Sequence, residues 1–537
     1  MTGRADVQDR SGSRAVQVEP GEWAQYGAPP DASILTFLVE FGEQADPRFP
    51  DAPSGPRRNE IPAPDRTVDN STYWTADFDR THYTSLLFAE DGNSMRNLYR
   101  EMSRGRHMLS GDVGDWVRVP WHSASYGQTE SQEDMTRFVQ DAADAWYAAQ
   151  TAAGRTGAEI DAQLARFDTW DRYDHDEDGD FAERDGYVDH FQAVHAGEGE
   201  EAGAPESAIW SHRWAVNQDG AGTDGPASNP SGGIRIGDSQ LWIRDYTTEP
   251  ENGGLGVFAH EYAHDLGLPD LYDTAGGENG TGFWTLMSSG SWLSREEDAI
   301  GTTPDHMGAW EKLQLGWLDY EVAIPGRTST HELGPSADPG TAAQGLVVVL
   351  PVDANGNGRY YLAENRRYVG YDSTLRTGPY NFGRGVSAPD LVERFPYQDG
   401  LNISYWNTAV PDNNTSQHPG SGLVLPVDAH PGALLWSDGT LVRNRVQSYD
   451  ATFGTEGTEE IELHREVGNA SSILHAGPKP AVDVFDDTDP AAYYDALNPQ
   501  GSVVVAGVGT TVRVVRDAVG APTTVRVEWS APPSRRD

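Results

Sequence analysis

Gly256-Val257-Phe258-Ala259-His260-Glu261-Tyr262-Ala263-His264-Asp265-Leu266-Gly267-Leu268-Pro269-Asp270 reads as a helix and the turn that leaves it. At 3.6 residues per turn, His260 and His264 share one helix face, so two imidazoles converge on one ion. Glu261 follows the first histidine, which puts a carboxylate beside the metal without making it a ligand. There it can take a proton from metal-bound water. Gly267 supplies the left-handed conformation that ends a helix and Pro269 cannot continue one, so the chain turns and brings Asp270 back. Two imidazoles and one carboxylate leave zinc an open fourth position, where a water has its pKa lowered to about 7. The competitors for the third position are downstream glutamates: Glu296, Glu297 and Glu311.

The chain has 537 residues, a length that predicts two or three domains. Its 59 glycines and 34 prolines fall short of a low-complexity composition, and 16 tryptophans argue for packed cores. The formal charge is −44, which argues against nucleic acid and anionic membranes as partners. Lys312 and Lys479 are the lysines, and arginine supplies the other basic residues. Such a surface suits a salty medium, and a GC-rich genome would also favour arginine. With no cysteine, neither disulfides nor thiolate metal sites are available. No apolar run approaches the ~18 residues of a membrane span. Met1 to Arg10 lacks the hydrophobic region of a signal peptide, as a mature or trimmed form would.

In order along the chain, residues 1–30 are polar and read as a poorly ordered lead-in. Ile34 to Phe41 is an apolar strand, and Val113 to Val119 is another around Trp116. Asp91 to Met102 and Asp134 to Phe167 have helical spacing, the latter divided near Gly154 and Gly157. Asp174-His175-Asp176-Glu177-Asp178-Gly179-Asp180-Phe181-Ala182-Glu183-Arg184-Asp185 has the spacing of an EF-hand-like calcium loop. Its oxygen donors are Asp174, Asp176, Asp178, Asp180 and Asp185, although position 12 is Asp where Glu is usual and a strand-like stretch follows. A structural calcium site is expected, without a paired-helix switch. Asp353 to Gly358, with Glu364 at position 12, fits the same pattern, but its strand-like flanks and Asn-Gly repeats favour a hairpin. Gln240 to Tyr246 is a candidate edge strand for pairing substrate backbone. Pro304 to Leu315 is helical. Met287, in the Ser/Gly-rich turn Leu286-Met287-Ser288-Ser289-Gly290, is a candidate floor for the zinc site. His418 and His430 lack ligand spacing and read as packing residues. From Asp319 onward strands and turns dominate, with Val503 to Val508, Thr510 to Val515 and Thr523 to Trp529 as a small antiparallel sheet.

His260 to Asp270, Met287, Asp171-Arg172-Tyr173-Asp174, Val194 to Glu201, Ile209 to Trp214, Val427-Asp428-Ala429-His430-Pro431 and Trp436-Ser437-Asp438-Gly439 resemble the immune inhibitor A family of secreted zinc metallopeptidases, which are similar to metzincins. That resemblance implies an α+β chain with a zincin-like catalytic domain, a twisted sheet above an active-site helix, over residues 31–318. The strand-and-turn composition after Asp319 gives a β-rich C-terminal domain, of one or two subdomains, over 319–537. The resemblance implies a secreted, extracellular endopeptidase acting on protein or peptide substrates, and a monomer is expected. His260, His264 and Asp270 would hold Zn2+, Glu261 would be the catalytic base, and Met287 would form the turn under the metal. The alternative class is a zinc-containing surface or binding protein without significant turnover. Glu261 argues against it, because a structural zinc site needs no base and usually has four protein ligands.

Overall fold

The computed structural model describes residues 15–19, 22–295, 299–338, 340, 342–517 and 521–530. They fall into two compact units: residues 1–63, 73–100 and 105–267 form one, and 64–72, 101–104 and 268–537 the other.

The strands of the first unit are β1 (Ala15–Glu19), β2 (Glu22–Gln25), β3 (Asp31–Glu40), β4 (Met108–Arg118), β5 (His190–His195), β6 (His212–Ala215), β7 (Ile234–Arg235), β8 (Trp242–Ile243) and β9 (Asp245–Pro250). A five-stranded sheet has the order β4-β3-β5-β9-β6. Its first four strands are parallel, and β6 closes the edge antiparallel to β9. Helices α1 (Arg80–Phe88), α2 (Met95–Met102), α3 (Ala124–Gly127), α4 (Gln132–Ala152), α5 (Gly157–Leu164) and α6 (Leu255–Asp265) complete the elements used below.

The apolar Ile34 to Phe41 stretch becomes β3, buried almost throughout because helices cover both faces of a parallel sheet. On one face Leu35, Phe37 and Val39 meet Phe138, Val139, Ala142 and Trp146 of α4, with Phe37 stacked on Trp146 at 4.8 Å. Each such side chain contributes about 2 kcal/mol by leaving water. The long helical stretch divides as its glycines require. Gly154 follows α4 at φ +86°, and α5 restarts with Thr156 and Glu159 in a reciprocal capping box. The pleat alternates faces, so His190, next to the core residue Phe191, points away from α4. Its ring reaches Asp265 at the end of α6 (2.5 Å), so α6 covers the opposite face.

Three expectations need correction. Within the expected lead-in, β1 and β2 pair as a hairpin. Trp170 Nε1 donates to Gln25 beside that hairpin (2.7 Å). Gln240 to Tyr246 is not an edge: Trp242 and Ile243 pair with β7 while Trp242 bridges Tyr187 on its other side, and Asp245 and Tyr246 open β9, which lies between β5 and β6. The edges of the five-stranded sheet are β4 and β6, and β6 is the antiparallel one.

In the second unit, a five-stranded sheet runs Tyr320–Ala323, Gly345–Val349, Arg359–Arg366, Gly400–Asn407, Val424–Pro426, and a four-stranded sheet runs Ser329–Leu333, Thr523–Trp529, Thr510–Arg516, Val484–Asp486. Leu346, Val348, Tyr361, Ile403, Phe485, Val512 and Val525 share their core. Asp353 to Gly358 is the expected hairpin turn. Asp353 Oδ1 accepts from the Asn355 and Asn357 amides (2.8 Å each), and the flanking strands pair antiparallel. Val503 to Val508 is the third correction, for it forms no strand. Val503, Val504 and Val505 donate in turn to Tyr493, Gly420 and Pro490, so loops satisfy its backbone in place of a ladder. Of Pro304 to Leu315, Ala309–Gln314 is helical and is labelled α7.

Candidate metal centre

Helix α6 begins where β9 ends, through a turn too tight for side chains. A Cβ on Gly253 would meet Val257 Cγ1 at 2.8 Å and Pro250 O at 3.1 Å. The inner face of the helix is then pinned by hydrogen bonds from phenols. Tyr83 donates to Glu251 O (2.8 Å) just ahead of it and Tyr99 donates to Ala259 O (2.6 Å). Tyr262 OH meets His107 Nε2 at 2.9 Å, and His107 Nδ1 donates to Pro29 O at 2.6 Å. Burial pushes the His107 imidazole down to about 4, so it stays neutral and its ring serves as a hydrogen-bond bridge.

On the other face His260 and His264 meet as their spacing requires, with Nε2 atoms 3.1 Å apart and ring planes at 88°. Two nitrogens on a tetrahedral zinc, each bonded at about 2.0–2.1 Å, lie about 3.3 Å apart, so this pair fits such an ion with little movement. Gly267 leaves the helix at φ +94°, with its amide on His264 O (2.9 Å). The turn that follows carries Asp270 back. Ligand atoms of His260, His264 and Asp270 lie within 4.8 Å of one another. A donor set of two imidazoles and one carboxylate suits zinc and leaves one position open. Glu261, between the histidines, is 5% exposed.

The residue after Asp270 is also fixed. Leu271 N donates to Met287 O (2.9 Å), and Met287 is fully buried, so the methionine turn is bonded to the segment that carries Asp270. Glu311, on α7, is 2% exposed, and its carboxylate accepts from Thr285 Oγ1. Burial pushes the Glu311 carboxyl up, and Glu364 nearby adds to the effect. Glu296 and Glu297 lie outside the described residues.

The acidic loop is drawn together in part. Asp174, Asp176 and Asp178 form one group of convergent carboxylates, and Asp171, Asp176 and Glu183 form another. Asp174 Oδ1 accepts from Gly179 N (2.9 Å), so the chain folds around its first carboxylate. Asp180 and Asp185 are not in either group. Asp180 Oδ1 accepts from Ala182 N (3.1 Å). Asp185 turns towards Tyr187 N (2.9 Å) and Asn229 Nδ2 (3.4 Å), where burial raises its carboxyl to about 8. Glu183, two positions earlier, joins Asp171 and Asp176 instead.

Of the two lone histidines, His418 Nε2 meets Asp412 (2.7 Å) and its Nδ1 meets Ser421 O (2.6 Å). His430 groups with Asp428 and Asp450, but Lys479 pairs with Asp450 at 2.8 Å and the His430 ring nitrogens lie against Asp450 O and Pro480 O. A cation is therefore already built into that cluster.

The sequence pattern did not single out the partners of Asp265. This last residue of α6 accepts from Arg172 (2.8 and 3.0 Å), His190 (2.5 Å) and Arg213 (3.4 Å). Burial alone would raise its carboxyl, yet Arg172 and His190 hold it well below the usual carboxylate range. A signal was present, since a buried acid in the last turn of a helix opposes the dipole and calls for cations.

A helix with two convergent imidazoles and an adjacent buried glutamate defines the metallopeptidase class. A model of the immune inhibitor A peptidase M6 catalytic domain matches residues 22–318, more than half of the chain, and the chain belongs to that family. Residues 355–524 match the VEG domain of immune inhibitor A-like metallopeptidases. Among curated proteins, the chain is 36% identical to immune inhibitor A of Bacillus thuringiensis subsp. alesti over 245 residues, 43% of this chain and 34% of that protein. It is 33% identical to the pre-pro-metalloprotease PrtV of Vibrio cholerae over 319 residues, 56% of this chain and 30% of that protein. The match thus spans about a third of the length of each relative. Among the described residues, no helix is long and apolar enough to cross a membrane.

Proposed function

We propose that the chain is a secreted, monomeric zinc endopeptidase of protein substrates, with residues 31–318 as a zincin-like catalytic domain and 319–537 as a β-rich C-terminal domain. The observation that carries this reading is the convergence of His260, His264 and Asp270 beside buried Glu261. His260, His264 and Asp270 would hold the ion. Zinc bound there supplies a Lewis acid for the scissile carbonyl and acidifies water in its open position. Glu261 takes a proton from the attacking water and returns it to the leaving amine, with its own carboxylate ionised before the step and protonated within it. Met287 would form the turn under the metal. Substrate backbone pairs with the outer edge of β6, since β6 bonds to β9 on one side and α6 packs beneath both strands. Extracellular work accords with the acidic surface and the calcium loop.

Casein hydrolysis tests the reading. It should be abolished by ortho-phenanthroline and restored by added zinc but not by calcium. Hydrolysis that survives full removal of zinc would sink it.

Calcium at Asp174, Asp176 and Asp178 would tie the loop to β5. Unliganded, these carboxylates repel one another, and an ion that binds only the folded state at a hundred times its Kd adds about 2.7 kcal/mol. For a chain of 537 residues that is roughly 2–3 °C in Tm. Calorimetry with calcium, and again after chelation and dialysis, should show the difference for wild type and not for Asp176→Asn. Equal melting of wild type in both conditions counts against the site.

A further inference from the structure

Asp265 is one residue beyond His264, and the groups that hold it come from separate elements. Arg172 follows Trp170, stacks on its ring at 4.6 Å, and also donates to Asp189 O (2.9 Å) just before β5. His190 opens β5. Arg213 lies on β6, and its guanidinium forks: Nε donates to Asp265 (3.4 Å) and Nη2 to Asp245 at the start of β9. Asp245 is held from its other side by Arg244 (3.0 Å) and by the Tyr173 hydroxyl (2.9 Å). One carboxylate therefore gathers the end of α6, a central strand and the edge strand.

The arrangement matters because β6 has a strand on one side only. It is a four-residue edge strand with one ladder, to β9, and among the described residues no second strand fixes its position over the helix. Arg213 adds that second attachment. If substrate backbone pairs with β6, the offset between β6 and α6 sets where the scissile carbonyl lies relative to Glu261. Misplacement by about 1 Å can cost on the order of a hundredfold in rate.

We infer that Asp265, acting through Arg213 and braced by Arg172 and His190, is a positioning residue that sets edge strand β6 over α6 for the reacting substrate. This inference rests on the peptidase reading above. It assigns no contact between Asp265 and substrate.

The test uses the zinc-loaded full chain and a fluorogenic peptide, with wild type, Arg213→Met, Arg213→Lys and Asp265→Asn compared for kcat, KM, zinc content and Tm. The Arg213 side chain is 25% exposed, so its variants should fold even if Asp265→Asn does not. Arg213→Met should lose about tenfold or more in kcat, with KM within about twofold and zinc content unchanged. Arg213→Lys keeps one contact but cannot fork, and should recover part of the loss. The absorption spectrum of cobalt(II)-substituted Arg213→Met should match wild type, because the change acts on the substrate's strand and not on the ligands. Wild-type kcat in Arg213→Met overturns the inference, as does a loss of rate that tracks zinc content, Tm or an altered cobalt spectrum. An inactive wild type would instead sink the peptidase reading, so the two failures are distinguishable.

Discussion

Glu261→Gln should reduce kcat/KM on a peptide substrate by about a thousandfold or more while the protein keeps its zinc and its Tm. General acid–base catalysis by a placed carboxylate contributes about 10² to 10⁴-fold, and here one residue serves both proton transfers, so the upper part of that range applies. A thousandfold is about 4 kcal/mol of transition-state stabilisation. The amide has the size and shape of the acid, and the position is 5% exposed, so packing around α6 is retained. What it lacks is basicity. Zinc content should remain one per chain because the ring nitrogens of His260 and His264 are untouched, and those two already face one another at 3.1 Å. Parallel measurement of casein hydrolysis, bound zinc and thermal melting separates the possibilities. Residual turnover near that of wild type would remove Glu261 from the chemistry. Loss of zinc along with activity would make it a ligand.

What could be read from the chain follows the range of the interactions involved. The paired histidines of α6, the stop at Gly267 and the return of Asp270 depend on contacts within one helical turn and one tight turn, and spacing alone describes these. The division of α4 from α5 is equally local, set by a left-handed glycine and a capping box. The edge of the sheet is a different kind of fact. Gln240 to Tyr246 and His212 to Ala215 have similar strand composition, and only the pairing of β9 between β5 and β6 decides which is exposed. Val503 to Val508 alternates correctly, yet its amides are claimed by three distant loop carbonyls, which no pattern within the segment could announce. The acidic loop falls between these cases. Its first turns follow the calcium spacing, but Asp185 is drawn away by Tyr187 and by Asn229, 44 residues later. Asp265 was visible as a buried helix-terminal acid in principle, but its partners, from positions 172, 190 and 213, meet only in the folded unit.

Asp270→Ala should weaken zinc binding by at least about a hundredfold, whereas Glu311→Gln should leave it within about twofold. Loss of a supporting group outside the ligand set typically costs 10 to 100-fold in metal affinity, so removal of a ligand itself should exceed that. With Asp270 gone, two imidazoles remain, and a two-ligand site on one helix face keeps less of the ion's charge neutralised. Activity should fall in proportion to zinc occupancy and return partly at high zinc. Glu311 has other work. Its buried carboxyl accepts from Thr285 Oγ1, and Thr285 Oγ1 in turn takes the Met287 amide (3.1 Å), so the glutamate supports the methionine turn from behind. Its replacement should therefore appear as a lower Tm with zinc retained. Competition with a chromogenic chelator gives the affinities, and calorimetry gives the stabilities. A Glu296→Gln, Glu297→Gln double variant completes the comparison and should bind zinc as wild type does. If any glutamate variant loses zinc while Asp270→Ala keeps it, the third ligand lies downstream, and the Gly267 turn serves only to end the helix.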